Sequence, residues 1–145
     1  MAGGSARAVI ARLERGGIRR TSPRARVIAA ALRQGQPFTA AELVTELAAR
    51  GAGRATVFRT LDLLVRSGVL ARIHGIERGA RCQRYTPCAP QHHHHLVCRA
   101  CGRVDELPEP GLERRLRRLA ADRGFRAVVH TVEIEGVCGD CADRQ

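Results

Sequence analysis

Apolar positions in the first half of the chain recur at helical spacing. Ala6, Val9, Ile10 and Leu13 make a short stripe closed by Gly16-Gly17. Thr21 or Ser22 can cap a second helix with Pro23 in its first turn. Its buried side is Val27, Ile28, Ala31 and Leu32, and Gly35 and Pro37 stop it. Thr39 followed three residues later by Glu42 is a capping box for a third helix, whose inner face is Leu43, Val44 and Leu47. Gly51-Ala52-Gly53 predicts a tight turn, and a fourth helix runs from about Arg54 to Ser67 on Val57, Leu61, Leu64 and Val65, ended by Gly68. The period then falls to two. Val69–His74 and Arg81–Thr86 read as strands around a turn at Gly75 to Gly79. Two helices, a glycine turn, a helix and a hairpin is the order of a winged helix-turn-helix.

The second half mixes periods. A strand is expected over residues 92–97, a short one after Cys101-Gly102, a helix over about 110–123 and a strand over 127–135. Leu112, Leu116, Leu119 and Ala120 supply that helix's apolar stripe, and Pro87, Ala89 and Pro90 mark a hinge. The fold class is therefore α+β: a winged-helix unit over residues 1–86, a hinge over 87–95 and a small α/β unit over 96–145.

Charge sharpens that division. Residues 1–84 carry 16 arginines against 5 acidic residues, whereas 85–145 carry 9 of each. The whole excess of +11 lies in the first part, and no basic residue is lysine. A basic helix-turn-helix is the footprint of a nucleic-acid reader. On the fourth helix, Arg59 lies opposite the buried stripe, and Thr56 and Thr60 flank it, so these three are candidate contacts to bases or backbone in a major groove. Arg19, Arg20, Arg24 and Arg26 are candidate phosphate contacts, which position without specifying. The longest apolar run near the start, Val27–Leu32, is too short for a signal or a membrane span, so the expected location is cytoplasmic and the partners exclude a membrane. Thiols stay reduced there, and six cysteines read as metal ligands or free thiols.

Two Cys-x-x-Cys pairs, Cys98/Cys101 and Cys138/Cys141, have the spacing for one closed tetrahedral zinc site of structural type. The first pair follows four consecutive histidines, His92 to His95. On a strand these alternate between faces, so one strand can feed two further sites. His74 and Cys88 can join His93 and His95 in a mixed sulfur–nitrogen set suited to Zn²⁺. Glu113 and His130 can join His92 and His94 in a nitrogen–oxygen set. Up to three Zn²⁺ per subunit are thus expected, with no organic cofactor. Cys82 reads as a core or idle thiol. No nucleophile–base constellation is present, which argues against an enzyme.

With Ala55-Thr56-Val57-Phe58-Arg59-Thr60-Leu61 and His92–His95 running into Leu96-Val97-Cys98-Arg99-Ala100-Cys101-Gly102, the chain resembles the ferric uptake regulator family over most of its length. The resemblance implies a homodimeric, metal-activated repressor that binds a double-stranded DNA operator, with residues 96–145 serving dimerisation. Cys88 and His130-Thr131-Val132-Glu133-Ile134 are similar to the zinc-uptake branch, which implies His74, Cys88, His93 and His95 as the site that controls DNA binding. His92, His94, Glu113 and His130 match a second site. The family usually has Tyr where this chain has Phe58, which keeps an aromatic surface for thymine and loses a hydroxyl. Alternatives stay open: a family member sensing iron, manganese, nickel or peroxide; a zinc buffer or metallochaperone with an arginine-rich surface; a metal-dependent hydrolase.

Overall fold

The computed structural model describes residues 5–77, 80–88, 94–126 and 130–144. Backbone contacts divide the chain into two units, Met1–Gln91 and His92–Gln145.

The first unit begins with α1 (Ala6–Arg15), capped by the Ser5 hydroxyl and burying Val9 and Leu13. In α2 (Ser22–Arg33) the cap is Thr21, whose hydroxyl accepts from the Arg24 amide. The Thr39 capping box is complete at the head of α3 (Ala40–Leu47): the Thr39 hydroxyl takes the Glu42 amide, and the Glu42 carboxylate takes the Thr39 amide at 2.6 Å. Each such cap contributes roughly 1 kcal/mol to a short helix. A 3₁₀ turn (Ala48–Arg50) ends at Gly51, whose φ of +70° reverses the chain at no steric cost. The turn delivers α4 (Arg54–Arg66). Val27, Ile28, Leu43, Leu47, Val57, Leu61 and Leu64 are all at 1% exposure or less and form one aliphatic core. At that depth a leucine-to-alanine change costs about 2–5 kcal/mol.

The wing is β1 (Leu70–Glu77) paired antiparallel with β2 (Ala80–Pro87), in register from Leu70↔Pro87 to Glu77↔Ala80. Phe38 fastens it to the helices. Its amide and carbonyl exchange bonds with Tyr85 at 3.0 and 2.7 Å, and the two rings stack with centroids 5.9 Å apart.

The second unit is a three-stranded sheet in the order β4-β3-β5, made of β3 (His94–Cys98), β4 (Val104–Leu107) and β5 (Glu133–Gly136). Its helices are α5 (Pro110–Ala121) and the single turn α6 (Gly139–Ala142). Two expectations need correction. The strand expected over 127–135 is regular only over Glu133–Gly136, and 127–129 lie outside the described residues. Leu119, assigned to a core stripe, is 45% exposed, and α5 buries no residue fully. A three-stranded sheet offers one helix too little apolar surface to cover that stripe.

Candidate metal centres

Strand pairing explains how cysteines forty residues apart meet. β3 and β5 run parallel with Cys98 opposite Gly136, and the Arg99 amide donates to the Gly136 carbonyl at 2.8 Å. Cys138 therefore emerges beside Cys98, and its amide donates to the Cys98 sulfur at 3.3 Å. On the other side the chain turns back from β3 into β4 through Gly102 at φ +76°, with the Gly102 amide on the Cys98 carbonyl at 2.9 Å. That turn aims Cys101 at the same point. Cys138 then caps α6, one turn of which carries Cys141 around to close the group.

All four sulfurs lie within 4.8 Å of one another. A tetrahedral ion with Zn–S near 2.3 Å places its sulfurs about 3.8 Å apart. The Cys101 and Cys138 sulfurs are separated by 3.8 Å. The set therefore fits a tetrahedral thiophilic ion without rearrangement of the strands. Its electrostatics are unequal. The Cys138 and Cys101 amides hold Cys98 down to about 6 from the ordinary 9. Hydrogen bonding with the Cys138 and Cys101 thiols, aided by desolvation, pushes Cys141 up to about 12. Negative charge gathers on one sulfur and is resisted on another, the behaviour of a thiol cluster that needs a dication to ionise fully.

A second group forms on α5 and the segment before β5. His94, Glu113 and His130 bring one donor atom each to within 4.8 Å of the others. His94 is 1% exposed. Its ring centre lies 5.3 Å from that of His130, whose Nε2 is 2.8 Å from Glu113 Oε2. The other Glu113 oxygen accepts from Arg117 Nε, also at 2.8 Å. Two imidazoles and a carboxylate form a nitrogen–oxygen set, and Arg117 is an outer partner that orients the carboxylate. The sequence reading missed Arg117, although its four-residue spacing from Glu113 is a signal visible in the sequence.

The remaining candidates fall in different units or outside the described residues. His92 and His93 lie outside the described residues. His74 is exposed on β1 and Cys88 half-buried just after β2, where its amide meets the Val69 carbonyl at 3.0 Å. Both belong to the first unit. His95 belongs to the second unit, 4% exposed, on the face of β3 opposite His94. It stands in register with Glu106 and Glu133.

On α4 the outer side presents Phe58, 38% exposed, and Arg59, with Thr56 half-buried beside them. Thr60 is a correction. It is 1% exposed among Val57, Leu61 and Leu64, so its hydroxyl cannot reach a groove. Three residues from Val57 and four from Leu64, it falls on the buried face. Arg19 and Arg20 are exposed ahead of α2, Arg26 is exposed on it, and Arg24 is half-buried with its guanidinium on the Arg19 carbonyl.

Known proteins share this arrangement. A sequence model of the ferric uptake regulator family matches residues 15–135. The zinc uptake regulation protein of Mycobacterium tuberculosis is 39% identical over 128 residues, covering 86% of this chain and 95% of that one. The ferric uptake regulation protein of Neisseria gonorrhoeae is 32% identical over 135 residues, covering 91% and 92%. Among solved structures, a zinc uptake regulator complexed with zinc and DNA superposes with a TM-score of 0.68 at 27% identity, covering 97% of each chain.

Proposed function

The chain belongs to the ferric uptake regulator family, and from that premise we propose that it is a zinc-responsive transcriptional repressor of metal-uptake genes, binding operator DNA as a metal-loaded homodimer. The observation that carries this reading is the coexistence of a four-thiol set with a separate, partly buried nitrogen–oxygen set in one small unit. A closed Cys₄ site is structural. The responsive ion therefore needs other donors.

Cys98, Cys101, Cys138 and Cys141 would hold a permanent Zn²⁺ that supplies folding energy to the second unit. His94, Glu113 and His130, with His92 as a further candidate, would hold a second ion. His74, Cys88, His93 and His95 are the candidates for the controlling site on ligand chemistry, since a thiolate among imidazoles favours Zn²⁺. Occupancy would shift the chain towards its DNA-competent population, and by linkage operator DNA would tighten metal binding by the same factor, about 1–3 kcal/mol for typical systems. In contact with DNA, Arg59 and Phe58 would read bases, Thr56 and Arg19, Arg20, Arg24 and Arg26 the backbone. A homodimer is supported by apolar side chains that the second unit leaves in water: Leu119, Phe125, Ile134 and Val137 are 45 to 71% exposed.

Zinc over iron is supported by Cys88 and by an identity of 39% to the zinc uptake regulation protein against 32% to the ferric one. One observation favours a second reading: the His94–Glu113–His130 set is also suited to Fe²⁺ or Mn²⁺. Operator binding titrated against buffered free Zn²⁺, Fe²⁺ and Mn²⁺, with metal content and mass in solution measured on the same sample, separates the two. Zinc-dependent binding by a dimer holding at least two Zn²⁺ per chain is expected. Activation by iron or manganese alone would replace zinc as the signal.

A further inference from the structure

Arg54, the first residue of α4, has no role in the scheme above. Its guanidinium carbon lies over the Phe58 ring, 5.2 Å from the centroid. The two residues are four apart, so they sit one above the other on the same face. Phe58 is 38% exposed and Arg54 is exposed too. Helix energetics give no reason for an arginine here. Gly53 provides no side-chain cap, and no acidic residue stands in the first turn. A cation at this end opposes the helix dipole. An exposed phenyl ring likewise gains nothing from water. Each residue is locally unfavourable, and the two lie against one another at the N-terminal end of the proposed recognition helix.

We infer that Arg54 is a positioning residue for base readout: its guanidinium covers one face of the Phe58 ring and holds the ring in the rotamer that offers its remaining surface to a thymine methyl. Phe58 has no hydroxyl with which to fix its orientation by a hydrogen bond. The cation–π contact is the restraint the structure provides instead. An apolar ring against a thymine methyl is a direct sequence contact. A guanidinium that meets a ring with its face keeps its in-plane N–H groups available for a phosphate as well. The inference rests on the proposed reading of α4 as the DNA-recognition helix.

The test uses the full-length, zinc-loaded chain and an operator recovered by selection from random duplexes. Thymines are replaced one at a time by deoxyuridine, which removes only the methyl group. The wild-type chain is expected to bind at least one thymine probe about fivefold or more tighter than its uracil counterpart, the lower end of a good base contact. Arg54→Ala should shrink that ratio about two- to fivefold, the range of an exposed cation–π contact. Arg54→Lys should keep the slope of affinity against salt while the ratio still falls, because an ammonium lacks the planar face. In a Phe58→Ala background, Arg54→Ala should no longer affect the ratio. A ratio unchanged by Arg54→Ala, with affinity for both probes reduced equally and the salt slope lowered by about one, would make Arg54 an ordinary phosphate contact and overturn the inference. So would a wild-type chain with no thymine preference at any position. A zinc-loaded chain that selects no sequence at all would instead remove the operator reading itself.

Discussion

Two threonines on α4 show how little separates an accessible position from a core position. Thr56 and Thr60 are one turn apart and chemically identical, yet Thr56 is half-buried beside Phe58 and Thr60 is 1% exposed. Thr60→Val should leave operator affinity within about twofold, whereas Arg59→Ala should cost about 1–3 kcal/mol of binding if it meets a base. Equal losses for the two variants in a quantitative gel shift would contradict the burial argument. The thiols invite a test of the same grain. Cys98 titrates near 6 because two backbone amides stabilise its anion, while Cys141 is pushed up to about 12. Metal binding requires thiolates and expels any protons still attached. Above pH 6 the Cys98 proton is already gone before the metal arrives; below it, that proton must be displaced. Proton release per Zn²⁺ bound to the four-thiol set should therefore rise by about one as the pH is lowered through 6. Calorimetry in buffers of differing ionisation enthalpy measures this. A flat count between pH 5 and 7.5 would mean that the Cys98 anion is not favoured in the metal-free chain.

Elements differ in how plainly the sequence announces them, and the difference has a physical basis. The helices of the first unit were legible because three signals agree: a cap residue, an apolar stripe and a glycine or proline stop. Thr39 and Glu42 are the clearest instance, and both halves of their capping box form. Thr39→Ala should lower stability by about 1 kcal/mol, a fall in melting temperature of a few degrees, with zinc content unchanged. No loss of stability would mean that tertiary packing alone holds α3. In the second unit the two Cys-x-x-Cys pairs were legible as one site because ligand spacing is a covalent fact. The route that joins them was not: the parallel pairing of β3 with β5 and the one-turn α6 arise from long-range register, which no local period encodes. The stripe on α5 misled at Leu119 because periodicity tells which face is apolar, not whether anything covers it. Thr60 misled for the opposite reason: its chemistry suits DNA, but its spacing from Val57 and Leu64 puts it on the inner face.

At the scale of the whole chain, each unit is stabilised internally by different forces, and the two should fail separately. The first unit has a continuous, mainly aliphatic core running from Val9 to Tyr85. Among the described residues, those buried in the second unit are His94, His95, Val97 and Cys98, and all but Val97 are candidate metal ligands. So little apolar burial cannot offset the conformational entropy of fifty residues. On the proposed reading the second unit draws added stability from metal at the thiol set and from a second copy covering the exposed Ile134 and Val137. Removing metal with a strong chelator, or replacing Cys98 by Ser, should therefore abolish protection of residues after 94 while leaving the first unit folded. Hydrogen exchange by mass spectrometry on the full chain resolves the two. Slow exchange should persist in α2, α3 and α4 and vanish in β3, β4 and α5, and the dimer should dissociate with it. Readdition of Zn²⁺ should restore both for the wild-type chain and neither for Cys98→Ser. If β3 stays protected without metal, its core is self-sufficient and the thiols are free to serve another purpose. If α4 loses protection as well, the reader does not fold independently, and metal governs DNA binding by folding the reader and not by selecting among folded states.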